Sequence, residues 1–256
     1  MNILYVDLDR EWRGGQSQAL LTLRGLIAAG HRVELLAARK SPLAERSAAE
    51  GIAVIGVPRV SLRISAAAKI AVLLRSGRFD LLHLNEPHAL TAAWLAGAHR
   101  RVPLLLSRRI GFPLGKSWVS QARYRAVTRF LPNSVAVAQS LLQCGVAHNR
   151  ISVVNEGVVV PPRTTAEQRA KARQHWGIHD QEFLFGCVSV FVPEKGQRHA
   201  IEALAKLRAK HPNARLFLAG DGPCRGEIAA LTAKLAQTEA VLMPGFVQDV
   251  DSVYAA

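Results

Sequence analysis

Short apolar runs rich in Val, Ile and Leu alternate along the chain with longer stretches whose apolar residues recur at helical spacing. NILYVDL (2–8), RVELLAA (32–38), IAVIGV (52–57), DLLHLN (80–85), VPLLLS (102–107), RFLP (129–132) and ISVV (151–154) are predicted strands. Between the first two, Leu20, Leu23 and Ile27 mark a helix, and Gly30 stands where its C-cap falls. Such repetition builds a parallel sheet covered by helices on both faces. After VVNEGVVVPPR (153–163) the pattern restarts, with strands FLFGCVSV (183–190), ARLFLAG (214–220) and AVLMPG (240–245) and helices over 164–176, 197–210 and 223–237. Tandem Pro161-Pro162 favours an extended linker, so two α/β domains are expected, 1–160 and 161–256. The second offers only three strands, and DVDSVYAA stops inside a predicted helix, so this domain is expected to be truncated.

At 256 residues, 49% hydrophobic and 20% charged, the chain has a globular profile rather than a disordered one. MNILYVDLDREW has no basic region ahead of an apolar export core, and ISAAAKIAVLL (64–74) is too short to span a bilayer. Cys144, Cys187 and Cys224 are far apart and form no C-x-x-C pair, which argues against a disulfide framework or zinc site and for a reducing cytoplasm. The net charge of +14 is concentrated early: residues 1–160 hold 21 Lys+Arg against 9 Asp+Glu, and 161–256 hold 12 against 10. That field attracts anionic partners without choosing among them. No nucleic-acid partner is expected, because Lys and Arg are not interleaved with aromatics and no recognition-helix motif is present. Arg100, Arg101, Lys116, Arg123, Arg125 and Arg129 are either a solvated face or a surface that docks peripherally on the inner, anionic face of a membrane.

Three corners carry the candidate chemistry. DLDREWRGGQSQALL (7–21) places Gly14-Gly15 between a strand and a helix, where backbone amides can approach an anion closely, although Gly-Gly also simply turns a chain. The G-x-G-x-x-G dinucleotide fingerprint is absent. SVFVPEKGQRHAIEAL (189–204) puts Lys195 and Gly196 at the carboxyl end of a strand, the rim where open α/β sheets bind ligands. LAGDGPCRGEI (218–228) puts Gly220, Asp221 and Gly222 at the next strand end, as a plain turn or as a second anion corner. His83, inside an apolar strand, reads as a core residue, His88 is close enough to a strand end to reach a ligand, and Glu156-Gly157 reads as hinge shaping.

Taken in order, VFVPEKGQRHAIEAL, LFLAGDGPCRGEIAAL and VLMPGFVQDVDSVYAA resemble the C-terminal domain of glycosyltransferase family 4, of GT-B architecture. GGQSQALLTLRGLIAAGHRVELL, FDLLHLNEPHALTAAWLAG and LPNSVAVAQSLLQCGVAHNRISVVNEGV resemble its N-terminal domain. The resemblance implies two Rossmann-like domains facing a cleft, the second truncated here. It also implies retaining transfer of a sugar from a nucleotide-sugar donor to an anionic or saccharide acceptor, possible acceptors including lipid-linked or cell-envelope glycans. By that likeness Lys195 holds the departing diphosphate, and Gly14, Gly15, Gly196, Gly220 and Asp221 border the donor. Gly245, Phe246 and Val247 would flank its base. Gln16, His88, Arg108 and Arg109 fall to the acceptor. The nucleotide-sugar is a substrate; no cofactor is implied, and no D-x-D carboxylate pair suggests a metal.

Two departures stand out. Ser189-Val190-Phe191 replaces the family's Gly-Arg-Leu, removing the arginine that partners the lysine, and Arg108-Arg109 stands where the family commonly has a histidine. The family's Glu-x7-Glu segment is not among these residues, so residues 1–256 alone are expected to be inactive. The alternatives are a nucleotide-sugar epimerase of similar shape and a non-catalytic basic module that binds anionic membrane or nucleic acid.

Overall fold

The computed structural model describes residues 1–256. Its first half alternates strands and helices: β1 (Asn2–Asp7), α1 (Gly14–Ala28), β2 (Arg32–Ala38), α2 (Pro42–Ala49), β3 (Ala53–Val57) and α3 (Leu62–Arg75). These are followed by β4 (Leu81–Leu84), α4 (Pro87–Leu95), β5 (Leu104–Arg108), α5 (Trp118–Arg125), β6 (Arg129–Pro132) and α6 (Val135–Gln143). The six strands pair in parallel in the order β3-β2-β1-β4-β5-β6. Because side chains alternate along a strand, β1 sends Leu4 and Val6 into a core with Ala66, Ile70, Leu82 and Leu90, and Ile3 and Tyr5 into a core with Leu20, Leu23, Leu35 and Leu43. The helices therefore cover both faces.

ISVV differs from expectation. Ile151 makes a single bridge to Phe130, and the segment is no strand. Ser152 and Val154 donate their amides to Phe130 O at 3.0 Å and Pro132 O at 2.9 Å. The reciprocal bond would need an amide on Pro132, which proline lacks, so the ladder stops.

The second half holds α7 (Ala166–His175), β7 (Phe183–Val188), α8 (Gln197–Arg208), β8 (Ala214–Ala219), α9 (Arg225–Lys234), β9 (Val241–Gly245) and α10 (Val250–Ala255). Its sheet is parallel, in the order β7-β8-β9. Phe191, Ile201, Leu204, Leu216, Leu218 and Ile228 pack on one face, and Phe217 and Val253 with Trp176 and Leu184 on the other. The chain divides into two compact units, Met1–Val159 and Val160–Ala256. No helix is long and apolar enough to cross a membrane.

Helix capping singles out the corners. Ser41, Glu86, Ser117, Ser134, Thr165 and Asp249 cap α2, α4, α5, α6, α7 and α10 with side-chain oxygens. No side chain caps α1, α8 or α9, the helices that open at the three candidate corners, and α3 shares that lack. An uncapped first turn keeps backbone N–H groups and the positive end of the helix dipole available to a ligand.

Candidate active site

In the first unit, β1 has β2 on one side and β4 on the other, so the chain reverses its direction of travel across the sheet between β1 and β4. Open α/β sheets bind ligands at such a switch point, beyond the carboxyl ends of the strands. A cavity of about 230 Å³ lies there, lined by Gly15, Gln16, Asn85, Glu86, Arg108 and Arg109, among others. The structure thus gathers four predicted residues: Gly15, Gln16, Arg108 and Arg109. Gly14 opens α1 beside them. His88 is exposed and lines an adjoining cavity of about 660 Å³ with Arg10, Arg13 and Arg63.

Beneath the cavity is a polar network. Asp7, at the end of β1, is fully buried; its carboxylate accepts from Asn85 Nδ2, from Gln16 Nε2 at 3.1 Å and from the Asp9 amide at 2.9 Å. Burial raises the Asp7 pKa, and these donors pull it back. Tyr5 Oη donates to Asn85 Oδ1 at 2.8 Å, and Arg109 Nη1 donates to the same oxygen at 2.9 Å and to Asn85 O at 3.1 Å. Glu86 accepts from the Leu8, His88 and Ala89 amides, yet burial, and then the Asp7 charge, push its pKa up to about 7.

The two arginines already have internal partners. Arg108 is buried and donates through Nη2 to Phe112 O. Arg109 donates through Nε to Glu156 and through Nη1 to Asn85. Neither is a loose surface cation. His83 is buried with Nε2 at 2.9 Å from Ser107 Oγ; burial, then the Arg109 charge, hold its pKa down to about 4, consistent with a neutral core residue. Of the basic-face residues, Arg123 is tied to Thr91 and Ser120 and Arg129 to Ser152, whereas Arg100, Arg101, Lys116 and Arg125 are exposed.

In the second unit the strand ends are zipped together. Ser189 N donates to Ala219 O and Phe191 N to Asp221 O, both at 2.9 Å, and Gly220 N donates to Gly245 O at 2.8 Å. A Cβ on Gly220 (φ 139°) would lie 2.0 Å from Ser189 O, and one on Gly222 2.5 Å from Phe191 O. These glycines are required by close backbone approach, whatever else they do. Gln197 Nε2 pins the preceding loop through Ser189 Oγ at 2.9 Å and Val190 O at 3.0 Å.

Lys195 is exposed on a 3₁₀ turn, Pro193–Lys195, and Gly196 follows in a left-handed conformation (φ 70°) that starts α8. The PEKG stretch is therefore a turn whose glycine is demanded by backbone geometry and whose lysine is left to solvent. Val190, in the place of the missing arginine, is 50% exposed. Asp221 accepts the Gly222 amide at 2.8 Å, with Arg225 Nη1 at 4.0 Å. Phe246 and Val247 line a groove of about 1090 Å³ with Trp176 and Tyr254; Lys195, Gly196, Gly220 and Asp221 do not line it. The structure gathers the strand-end residues on one rim and sets Phe246 and Val247 toward this separate groove.

Sequence reasoning missed Asp7, Asn85, Glu86 and Gln197. The one local signal was a polar residue at the end of an apolar strand, visible in YVDLD and LHLNEP.

The sequence pattern of Glycosyltransferase Family 4 matches residues 12–160, and that of Glycosyl transferases group 1 matches residues 168–256. The chain belongs to Glycosyltransferase Family 4. It is 29% identical over 235 residues to the phosphatidyl-myo-inositol mannosyltransferase of Propionibacterium freudenreichii, covering 83% of this chain and 59% of that protein. The chain therefore spans about three fifths of that relative's length. Its fold is that of Anabaena HepE, solved with UDP and glucose, at TM-score 0.77 and 22% identity over 99% of this chain and 72% of that one. The UDP-GlcNAc 2-epimerase of Neisseria meningitidis is similar at TM-score 0.59 and 11% identity, over 100% of this chain and 75% of that one. The GT-B character expected from the motifs is thereby established for the fold.

Proposed function

We propose that this chain carries the acceptor-side unit and part of the donor-side unit of a retaining glycosyltransferase, which moves a sugar from a nucleotide-diphosphate-sugar to a lipid-linked or cell-envelope acceptor. The observation that carries the reading is the order of the two family patterns, 12–160 then 168–256, over two parallel sheets whose uncapped helices α1 and α8 begin at the ligand-binding rims. In the transfer, the bond between the sugar and the diphosphate breaks, the acceptor oxygen takes its place, and the acceptor proton is released. Negative charge develops on the departing diphosphate, where an ammonium and pre-placed amides stabilise it most. Lys195 with the first-turn amides of α8 is proposed for that charge, and Gly196, Gly220 and Asp221 are proposed to border the donor at the strand ends. Gly245, Phe246 and Val247 are proposed to border the base from the far side. Gly14 and Gly15 are proposed to border the donor, and Gln16, His88, Arg108 and Arg109 are proposed for the acceptor.

The acceptor class rests on the phosphatidyl-myo-inositol specificity named for the Propionibacterium relative. A peripheral site on the cytoplasmic membrane face is supported by Phe112 and Trp118, exposed by 63% and 76% beside the exposed Lys116 and Arg125. Aromatic rings settle at the headgroup level, and each basic residue near an anionic surface adds about 1 kcal/mol. The epimerase reading shares the fold, but both family patterns name transferases.

Product analysis decides. Expressed from its full coding sequence and given nucleotide-sugars with a lipid extract, the protein is expected to label a lipid and release nucleoside diphosphate. Isomerisation of the nucleotide-sugar without acceptor would establish the epimerase instead.

A further inference from the structure

The segment that follows α6 and leaves the first unit is fastened by the same elements that build the first-unit cavity. Gln18, in the first turns of α1, grips Gly157 twice: Nε2 donates to Gly157 O at 2.7 Å, and the Gly157 amide donates to Gln18 Oε1 at 3.2 Å. Next to it, Glu156 accepts from Arg109 Nε through Oε1 and from Asn133 Nδ2 at 3.3 Å through Oε2. Beyond this clamp Val158, Val159 and Val160 are exposed by 81%, 69% and 82%. Glu156 and Gly157 are thus where the outgoing chain is held to the first unit.

The chemistry of Arg109 makes that clamp sensitive to ligand. A guanidinium prefers to meet a phosphate or carboxylate at two points along one edge. On Arg109, Asn85 occupies Nη1 and Glu156 occupies Nε, so both two-point edges are already half used. Arg109 nevertheless lines the cavity, and its side chain and that of Glu156 keep 21% and 32% exposure, so the pair is open to exchange. Asn85 is the harder partner to displace, because Asp7 and Tyr5 hold it from below. Glu156 sits on an exposed segment and yields first.

We propose that Glu156 is an internal stand-in for a phosphoryl group at Arg109, and that a phosphoryl group entering the cavity displaces Glu156 and loosens the outgoing segment at Gly157. Glu156 and Gln18 are positioning residues in this scheme. The inference rests on the acceptor-side reading only in taking Arg109 as ligand-facing; it does not require transfer to occur.

The test is residue-resolved amide exchange on the 256-residue chain, with inorganic phosphate against sodium chloride of equal ionic strength. Phosphate is expected to shift the Arg109 Nε–H signal and to speed exchange at Gly157 by roughly threefold or more, leaving Val6 in the core unchanged. In Glu156→Gln, exchange at Gly157 is expected to be fast without phosphate and indifferent to it. In Gln18→Ala, which keeps the arginine and glutamate, the Gly157 amide loses its acceptor and exchanges fast under all conditions, while the Arg109 shift on adding phosphate persists. Repeating the titration with short-chain phosphatidic acid tells a lipid-borne phosphoryl group from a free one by which acts at lower concentration. An Arg109 shift with unchanged Gly157 exchange would overturn the displacement while leaving an anionic acceptor intact. No Arg109 shift with either probe would overturn both.

Discussion

The two units treat charge at their strand ends in opposite ways. In the first, Asp7, Gln16, Asn85, Arg109 and Glu156 are bonded to one another, and Arg108 donates to its own loop. In the second, Lys195 stands exposed on a turn beside an uncapped helix, and the glycines around it serve backbone packing. A satisfied buried network rigidifies a site and fixes its shape, whereas a free ammonium is available to charge that appears only during reaction. On the proposed reading, the first unit would select by shape and by exchange of partners, and the second would stabilise a leaving group.

The largest expected effect is on Lys195. In the protein expressed from its full coding sequence, Lys195→Ala should slow transfer by roughly 10²–10³-fold, as for loss of one transition-state donor, while leaving stability within about 0.5 kcal/mol, since the residue is exposed. Steady-state turnover beside thermal unfolding checks both halves; turnover within threefold of the parent would remove Lys195 from the chemistry. Next comes Gly220→Ala, whose Cβ would collide with Ser189 O. Overpacking of this kind costs about 1–3 kcal/mol or more, and urea unfolding monitored at Trp176 should show it. Asn85→Ala should destabilise the first unit by about 1–3 kcal/mol by stranding Asp7, Tyr5 and Arg109.

The remaining prediction is a pH slope. The Glu86 pKa is raised from 4.5 to about 7 in the folded chain, so the folded state holds this proton after the unfolded state has lost it. Its contribution to stability is full below about pH 4.5 and is lost as pH rises through about 7. Glu86→Gln removes the titration and can keep one oxygen as acceptor for the Leu8 and Ala89 amides, at the loss of the acceptor for His88, a cost that does not vary with pH. The difference between wild-type and variant stability should therefore shift against the wild type from about pH 4.5 to about 7 and be flat above it. A flat difference throughout would mean that Glu86 ionises normally.

Most strands were legible because parallel sheets buried on both faces are written as continuous apolar runs, and RVELLAA and RFLP match their strands residue for residue. ISVV misled because its partner ends in Pro132, a pairing that local sequence does not reveal. The Asp7–Asn85 contact joins residues 78 positions apart, and Arg109–Glu156 joins residues 47 apart. Nothing in either local stretch announces its partner. The uncapped corners were legible in principle, since no Ser, Thr, Asp or Asn stands at Arg13, Gly196 or Cys224.

The most direct test of the contrast is calorimetric titration of UDP and of GDP into the 256-residue chain, parent against Lys195→Ala. A charge-assisted contact worth about 1.5–3 kcal/mol predicts that the substitution weakens the tighter nucleotide by roughly 10- to 100-fold. Equal binding by parent and variant would contradict the account and move the diphosphate away from the second-unit corner.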